Sequence, residues 1–101
     1  MQWRGVLLAA GLLALGNAQG SEALAQASHC LSCHAMDKKV VGPAFRDVAR
    51  KYADDPQAPQ RLAAKVMAGG NGAWGVVYMP ANKQISPAQA RVLVDWILAL
   101  K

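Results

Sequence analysis

Residues 30–34 read Cys30-Leu31-Ser32-Cys33-His34, a C-x-x-C-H pentapeptide that occurs once in 101 residues. Two thiols at this spacing can each add to a vinyl group on the same edge of a haem. His34, next in the chain, then lies under the iron and offers its imidazole. The pentapeptide is the acceptor of covalent haem c, and one copy means one haem. Two other chemistries use paired cysteines. A thioredoxin-like redox pair belongs in a βαβ context, and this chain reads as helical. A tetrahedral zinc site needs about four ligands. Besides thioethers, the only nitrogen or sulfur candidates are Cys30, Cys33, His34 and His29, and His29 beside Cys30 is badly placed to share one tetrahedron. His29 itself reads as an exposed residue at a helix end.

An iron held by one histidine has a sixth position. Downstream of the leader segment described below, the methionines are Met36, Met67 and Met79. Met36 follows His34 by two residues and stays on the same side of a haem. Met67 follows Val66 in a helical stretch and reads as packing. Met79 lies 45 residues beyond His34, next to Pro80, in a long loop. That separation lets the chain wrap round and present the sulfur from the other face, so Met79 is the expected second ligand. A neutral thioether favours ferrous iron and raises the reduction potential. Two filled axial positions leave no open site for substrate or oxygen, which points to electron transfer rather than catalysis.

Outward from the motif the chain reads as short helices joined by Gly/Pro-rich loops. Ser21 is the expected N-cap of a first helix running toward His29. Pro43 opens a second at Ala44, with Phe45, Val48, Ala49 and Tyr52 at i, i+3, i+4, i+7. Asp54-Asp55-Pro56 ends it. A third spans Arg61–Ala68, with Leu62 and Val66 on one face, and Gly69-Gly70 stops it. Ser86, Pro87 and Gln89 form a capping-box start for the last helix, which carries Ala90, Leu93, Val94, Ile97 and Leu100 on one stripe. Between these lies a loop of about 17 residues, Gly69–Ile85, long enough to imply a role. Val76-Val77-Tyr78 inside it has the composition of a strand, closely bracketed by Gly75 and Pro80. The expected class is all-α.

The N-terminus reads differently. Arg4 precedes an apolar run, Val6–Leu15, and small residues follow. This is the order of a secretory signal peptide, residues 1–18, with cleavage after Ala18 and Gly20 or Ala25 as alternatives. The run is short of the roughly 20 residues that span a bilayer, so no membrane insertion is expected after cleavage. Residues 19–101 then form the mature domain. Of its 42 residues in the hydrophobic class, 16 are alanine, and only 24 are large apolar or aromatic ones. So small a core calls for a staple or a cofactor. Cleavage takes away one basic residue, Arg4, and no acidic one, so the net charge falls from +5 to +4. In an exported haem protein that charge suits steering toward acidic redox partners rather than nucleic acid. Lys38, Lys39 and Lys83 are the candidates for a docking ring, with ordinary solvated charge as the alternative.

The residues CLSCHAMDKKVVGPAF (30–45), Gly72-Ala73-Trp74-Gly75 with Met79-Pro80-Ala81-Asn82, and Trp96-Ile97-Leu98 stand in a familiar order and spacing. From about Gln19 onward the chain resembles the small bacterial class I cytochromes c of the cytochrome c-551 type. The resemblance implies about four short helices wrapped around one haem c, with thioethers to Cys30 and Cys33 and axial ligands His34 and Met79. It also implies that the Pro43 carbonyl accepts a hydrogen bond from the His34 ring, and that Asn82 donates its amide toward the Met79 sulfur. Trp74 and Lys65 would meet the haem propionates; their alternatives are plain core and solvated surface. The implied function is that of a periplasmic, monomeric electron carrier. It would take electrons from a membrane quinol-oxidising complex (quinol–cytochrome c oxidoreductase) and pass them to a terminal reductase, such as nitrite reductase, or an oxidase. Two positions depart from the pattern: Ala25 replaces a frequent large apolar residue, and Ala81 a frequent second proline.

Overall fold

A computed structural model describes residues 21–101, so the signal-peptide reading lies outside the described residues. Helix α1 covers residues 21–27. Ser21 is already helical and buried, so it is not the cap that its residue type suggested. A single 3-10 turn follows at Cys30–Ser32, entered through His29 in the left-handed region (φ 64°). That conformation is uncommon outside glycine; here it turns the chain out of α1 and into the motif.

Helix α2 runs Phe45–Lys51. It starts one residue later than expected, and Ala44 occupies the cap with an extended backbone. The first N–H groups of a helix have no partner inside it. Here the loop behind Cys33-His34 supplies partners: Phe45 N–H donates to Ala35 O at 2.9 Å and Arg46 N–H to Met36 O at 3.1 Å. The helix is thereby stitched to the segment just after the motif. Helix α3 spans Ala58–Ala68, three residues longer at its start than expected. The Asp55 carboxylate accepts from Gln57 N–H (2.9 Å) and from Arg61 (2.7 Å), and Pro59 in the first turn has no N–H to satisfy.

The next segment departs from a purely helical reading. Strands β1 (Gly70–Gly72) and β2 (Gly75–Met79) form a small antiparallel hairpin that pairs Gly70 with Met79 and Gly72 with Gly75. Gly72 (φ 108°) and Gly75 (φ 113°) allow the turn at Ala73-Trp74. Most of β2 is exposed on both faces, so no period-two pattern marks it in the sequence. Helix α4, Pro87–Leu98, starts as read: Gln89 N–H donates to Ser86 Oγ at 3.1 Å, and Ser86 N–H donates to Gln89 Oε1 at 2.9 Å.

The core gathers Ala25, Phe45, Val66, Ile85, Ala90, Leu93, Val94 and Ile97, with α4 packed on α2 and α3. Among the described residues, five of the eleven buried apolar ones are alanine, and Leu93 is the one large side chain that is fully buried. Alanine adds little area to the roughly 25 cal/mol per Å² that burial contributes. The helical stripes therefore do not close on one another alone. Val48, Tyr52, Leu62, Val66, Leu93, Val94 and Ile97 also line one shared cleft. Ala25, wholly buried in the cluster that contains Ala90 and Leu93, gives α1 a small side chain at this junction.

Candidate haem site

The motif sits at the edge of that cleft. Cys33 N–H and His34 N–H both donate to the Cys30 carbonyl, at 3.2 and 3.0 Å. This tight turn brings Cys30, Cys33 and His34 onto the same cleft. The two thiols are not joined to each other. Burial pushes the Cys30 thiol up from its usual value. A redox-active thiol needs the opposite shift.

The His34 ring is held on three sides. Its Nδ1–H donates to the Pro43 carbonyl at 2.7 Å. Pro43 lies before the α2 cap, so no helical N–H claims this carbonyl. The bond sets the tautomer and leaves Nε2 for a metal. Phe45 stacks on the ring, with centroids 5.0 Å apart and an interplanar angle of 20°, and Trp96 meets Phe45 edge-on at 5.9 Å. A Cβ on Gly42 would stand 2.5 Å from His34 Cε1, so only glycine fits beside the ring. In the sequence, helical spacing gives Phe45 only a core role, and nothing gives Gly42 one. Its signal is the Gly-Pro pair eight residues after the histidine, which becomes legible only once the ring is seen against it.

Met79 ends β2, half-buried, and lines the same cleft, as do Pro43, Lys65 and Trp74. Met36 and Met67 instead pack against the core away from it. Trp74 is 45% exposed, and the Lys51 ammonium lies 5.3 Å from its ring centroid, so it belongs to the rim and not to the core. Lys65 Nζ donates to the Asn71 carbonyl at 3.4 Å. Lys38, Lys39 and Lys83 are exposed, and Lys39 also lines the cleft. The Asn82 amide donates to the Ser28 carbonyl at 3.0 Å, and Asn82 does not line the cleft that Met79 lines. The turn at residues 80–84 aims the side chain at the end of α1, where a free helical carbonyl needs a donor.

The lining suits a flat apolar group. Val41, Trp74, Val77 and Tyr78 are each 45–59% exposed, and all four line the cleft. Large apolar side chains gathered on one exposed face mark a binding surface. Among the described residues no three His, Cys, Asp or Glu side chains gather as ligands, so a bare metal ion finds no donor set. A macrocycle that brings its own equatorial nitrogens needs only axial donors and an apolar wall. The residues present fit a haem on both counts. Also among the described residues, no helix is long and apolar enough to cross a membrane.

Comparison with known proteins gives the same answer. The sequence profile of the cytochrome c family matches residues 18–101. Cytochrome c-552 of Nitrosomonas europaea is 46% identical over 99 residues, covering 98% of this chain and 96% of that protein. The crystal structure of wild-type Nitrosomonas europaea cytochrome c552 superposes with a TM-score of 0.76 at 48% identity, over 79% of this chain and 99% of that one. The class 1 cytochrome MtoD of Sideroxydans lithotrophicus superposes at 0.66 with 30% identity, over 80% of this chain and 92% of that one. Membership brings a covalently bound haem c, and the two cysteines for it are present. The chain belongs to the cytochrome c family: it is a small monohaem electron carrier with the class I cytochrome c fold, not an enzyme.

Proposed function

We propose that this carrier works in the periplasm with His34 and Met79 as axial ligands. In this reading it moves one electron at a time from a membrane quinol-oxidising complex to a terminal reductase, such as a nitrite reductase, or an oxidase. One observation carries the ligand assignment: His34 and Met79 line a single apolar cleft, whereas Met36 and Met67 do not. The haem, when bound, supplies an iron that changes charge by one unit. The chain's part is to hold that iron in a dry, fixed setting. Pro43 keeps the imidazole in one tautomer and one orientation. Phe45, Leu93, Val94 and Ile97 keep water off the buried face. Lys65 and Trp74, on the rim, meet the propionates. The exposed Lys38, Lys39 and Lys83 meet acidic partner surfaces in short encounters, because a carrier must leave after each transfer. The leader at residues 1–18 takes the chain to the periplasm, where the mature protein is a monomer.

Substitution of Met79 tests the ligation. Met79→Ala should lower the reduction potential by on the order of 0.1–0.3 V, within the range that axial ligands command. The reduced variant should also bind carbon monoxide, which the native protein resists at neutral pH. Ready binding by the native protein, or an unchanged potential in the variant, would remove Met79 from the iron. Mass measurement of the mature chain checks export through its cleavage point.

A further inference from the structure

Gly69 does more than end α3. Its φ of 75° with ψ of −175° lies in a region that is essentially glycine's alone. An ordinary glycine C-cap is left-handed, with ψ near +47°, so stopping the helix does not account for this conformation. The contacts do. A Cβ at Gly69 would stand 2.6 Å from the Met79 carbonyl oxygen, 2.7 Å from the Ala81 nitrogen and 3.1 Å from the Pro80 carbonyl carbon. All three are backbone atoms, and none can swing aside as a side chain would.

A hydrogen bond and a strand pairing draw the same segments together. Asn82 N–H donates to the Val66 carbonyl at 2.9 Å, and Gly70 pairs with Met79 in the hairpin. The end of α3 and the backbone around Met79 thus touch directly, with Gly69 at the closest point. Gly72 and Gly75 also have positive φ, yet a Cβ on either would meet nothing within 4 Å. Those two serve the turn.

We infer that Gly69 is a positioning residue for Met79: its missing side chain lets the methionine backbone seat on α3, and that seating sets where the sulfur stands. The inference rests on the proposed ligation by Met79. A Cβ at Gly69 pushes residues 79–81 outward and carries the sulfur away from the iron.

The test uses holoprotein carrying Gly69→Ala, Gly72→Ala, Met79→Ala, and Gly69→Ala with Met79→Ala together. Readouts are the affinity of ferric protein for imidazole, the reduction potential, and hydrogen exchange at the Asn82 amide. Gly69→Ala should raise imidazole affinity by about tenfold or more, the effect of ~1.4 kcal/mol. It should also lower the potential and speed exchange at Asn82. Gly72→Ala meets comparable backbone strain without the contact and should keep wild-type imidazole affinity. In the Met79→Ala background, Gly69→Ala should change neither affinity nor potential further. Gly69→Asn also carries a Cβ; it should behave like Gly69→Ala and replaces it if the alanine variant does not fold. If either Gly69 variant binds imidazole as weakly as wild type while Met79→Ala binds it tightly, the inference is overturned. If Met79→Ala itself changes nothing, the ligation reading fails and takes this inference with it.

Discussion

The segment that carries His34 and the segment that carries Met79 line the same cleft, but different kinds of contact hold them. Around His34 the bonds are local. Pro43 to His34, Cys33 to Val41 and Gly42, Ala35 to Phe45 and Met36 to Arg46 all join residues eight to ten positions apart. A helix start, a stacked Phe45 and a close-packed Gly42 complete that side. Around Met79 most of the chain is exposed; the pairing with Gly70 is local, but the residues just after Met79 are anchored far away, Val66 lying 16 positions before Asn82 and Ser28 54 before it. Closing long loops costs more entropy than closing short ones. The histidine side is therefore ordered largely by its own sequence neighbourhood. The methionine side depends on the rest of the domain being in place.

The largest test of that contrast falls on the histidine side. Gly42→Ala puts a Cβ into the ring and should cost about 1–3 kcal/mol of holoprotein stability, as overpacking does, measured by denaturant unfolding. It also displaces His34 from Pro43. An imidazole that loses this acceptor donates less to the iron, so the potential should rise. Loss of the methionine lowers it. If Gly42→Ala and Gly69→Ala shift the potential in the same direction, the two sides are not separable and the comparison breaks.

Asn82→Ala comes next. It removes the amide bond to Ser28 and the Asn82 Oδ1 acceptor for Gln84 N–H. The expected loss is about 1–2 kcal/mol, with exchange quickening in residues 80–84 and no change around His34. Protection lost equally at the Gly42 and Phe45 amides would mean that the local side is not self-supporting.

The smallest effect is expected at the start of α3. The hydrogen bond from Arg61, followed by that from Gln57 N–H, lowers the Asp55 carboxyl pKa. A carboxylate depressed in the folded state adds stability above its unfolded pKa and loses it as pH falls through the folded value. Asp55→Asn should therefore flatten the acid limb of stability slightly. Arg61 is exposed and Asp55 partly so, so moderate salt should erase most of the difference. An effect that survives high salt would give this end of α3 a larger part in seating Met79 than the geometry assigns.

Much of this was legible beforehand because it is local. C-x-x-C-H states its chemistry by spacing. The Ser86–Gln89 capping box and the stripe of α4 follow from side chains a few positions apart. Other features were not legible. The hairpin has no buried face to impose alternation. Helix α3 begins early because Asp55 organises a turn that residue type alone does not announce. Asn82 finds Ser28 only when α1 is folded beside it.

Cofactor class, the four helices and the scarcity of core follow from the residues alone, since each rests on residue identity and short-range spacing. Tertiary structure alone decided that Phe45 stacks on His34, that Gly42 and Gly69 must lack side chains, and which carbonyl takes the Asn82 amide. These contacts join groups that no helical or strand period brings together. A missing Cβ and a free carbonyl acquire meaning only when another part of the chain arrives within van der Waals or hydrogen-bonding distance.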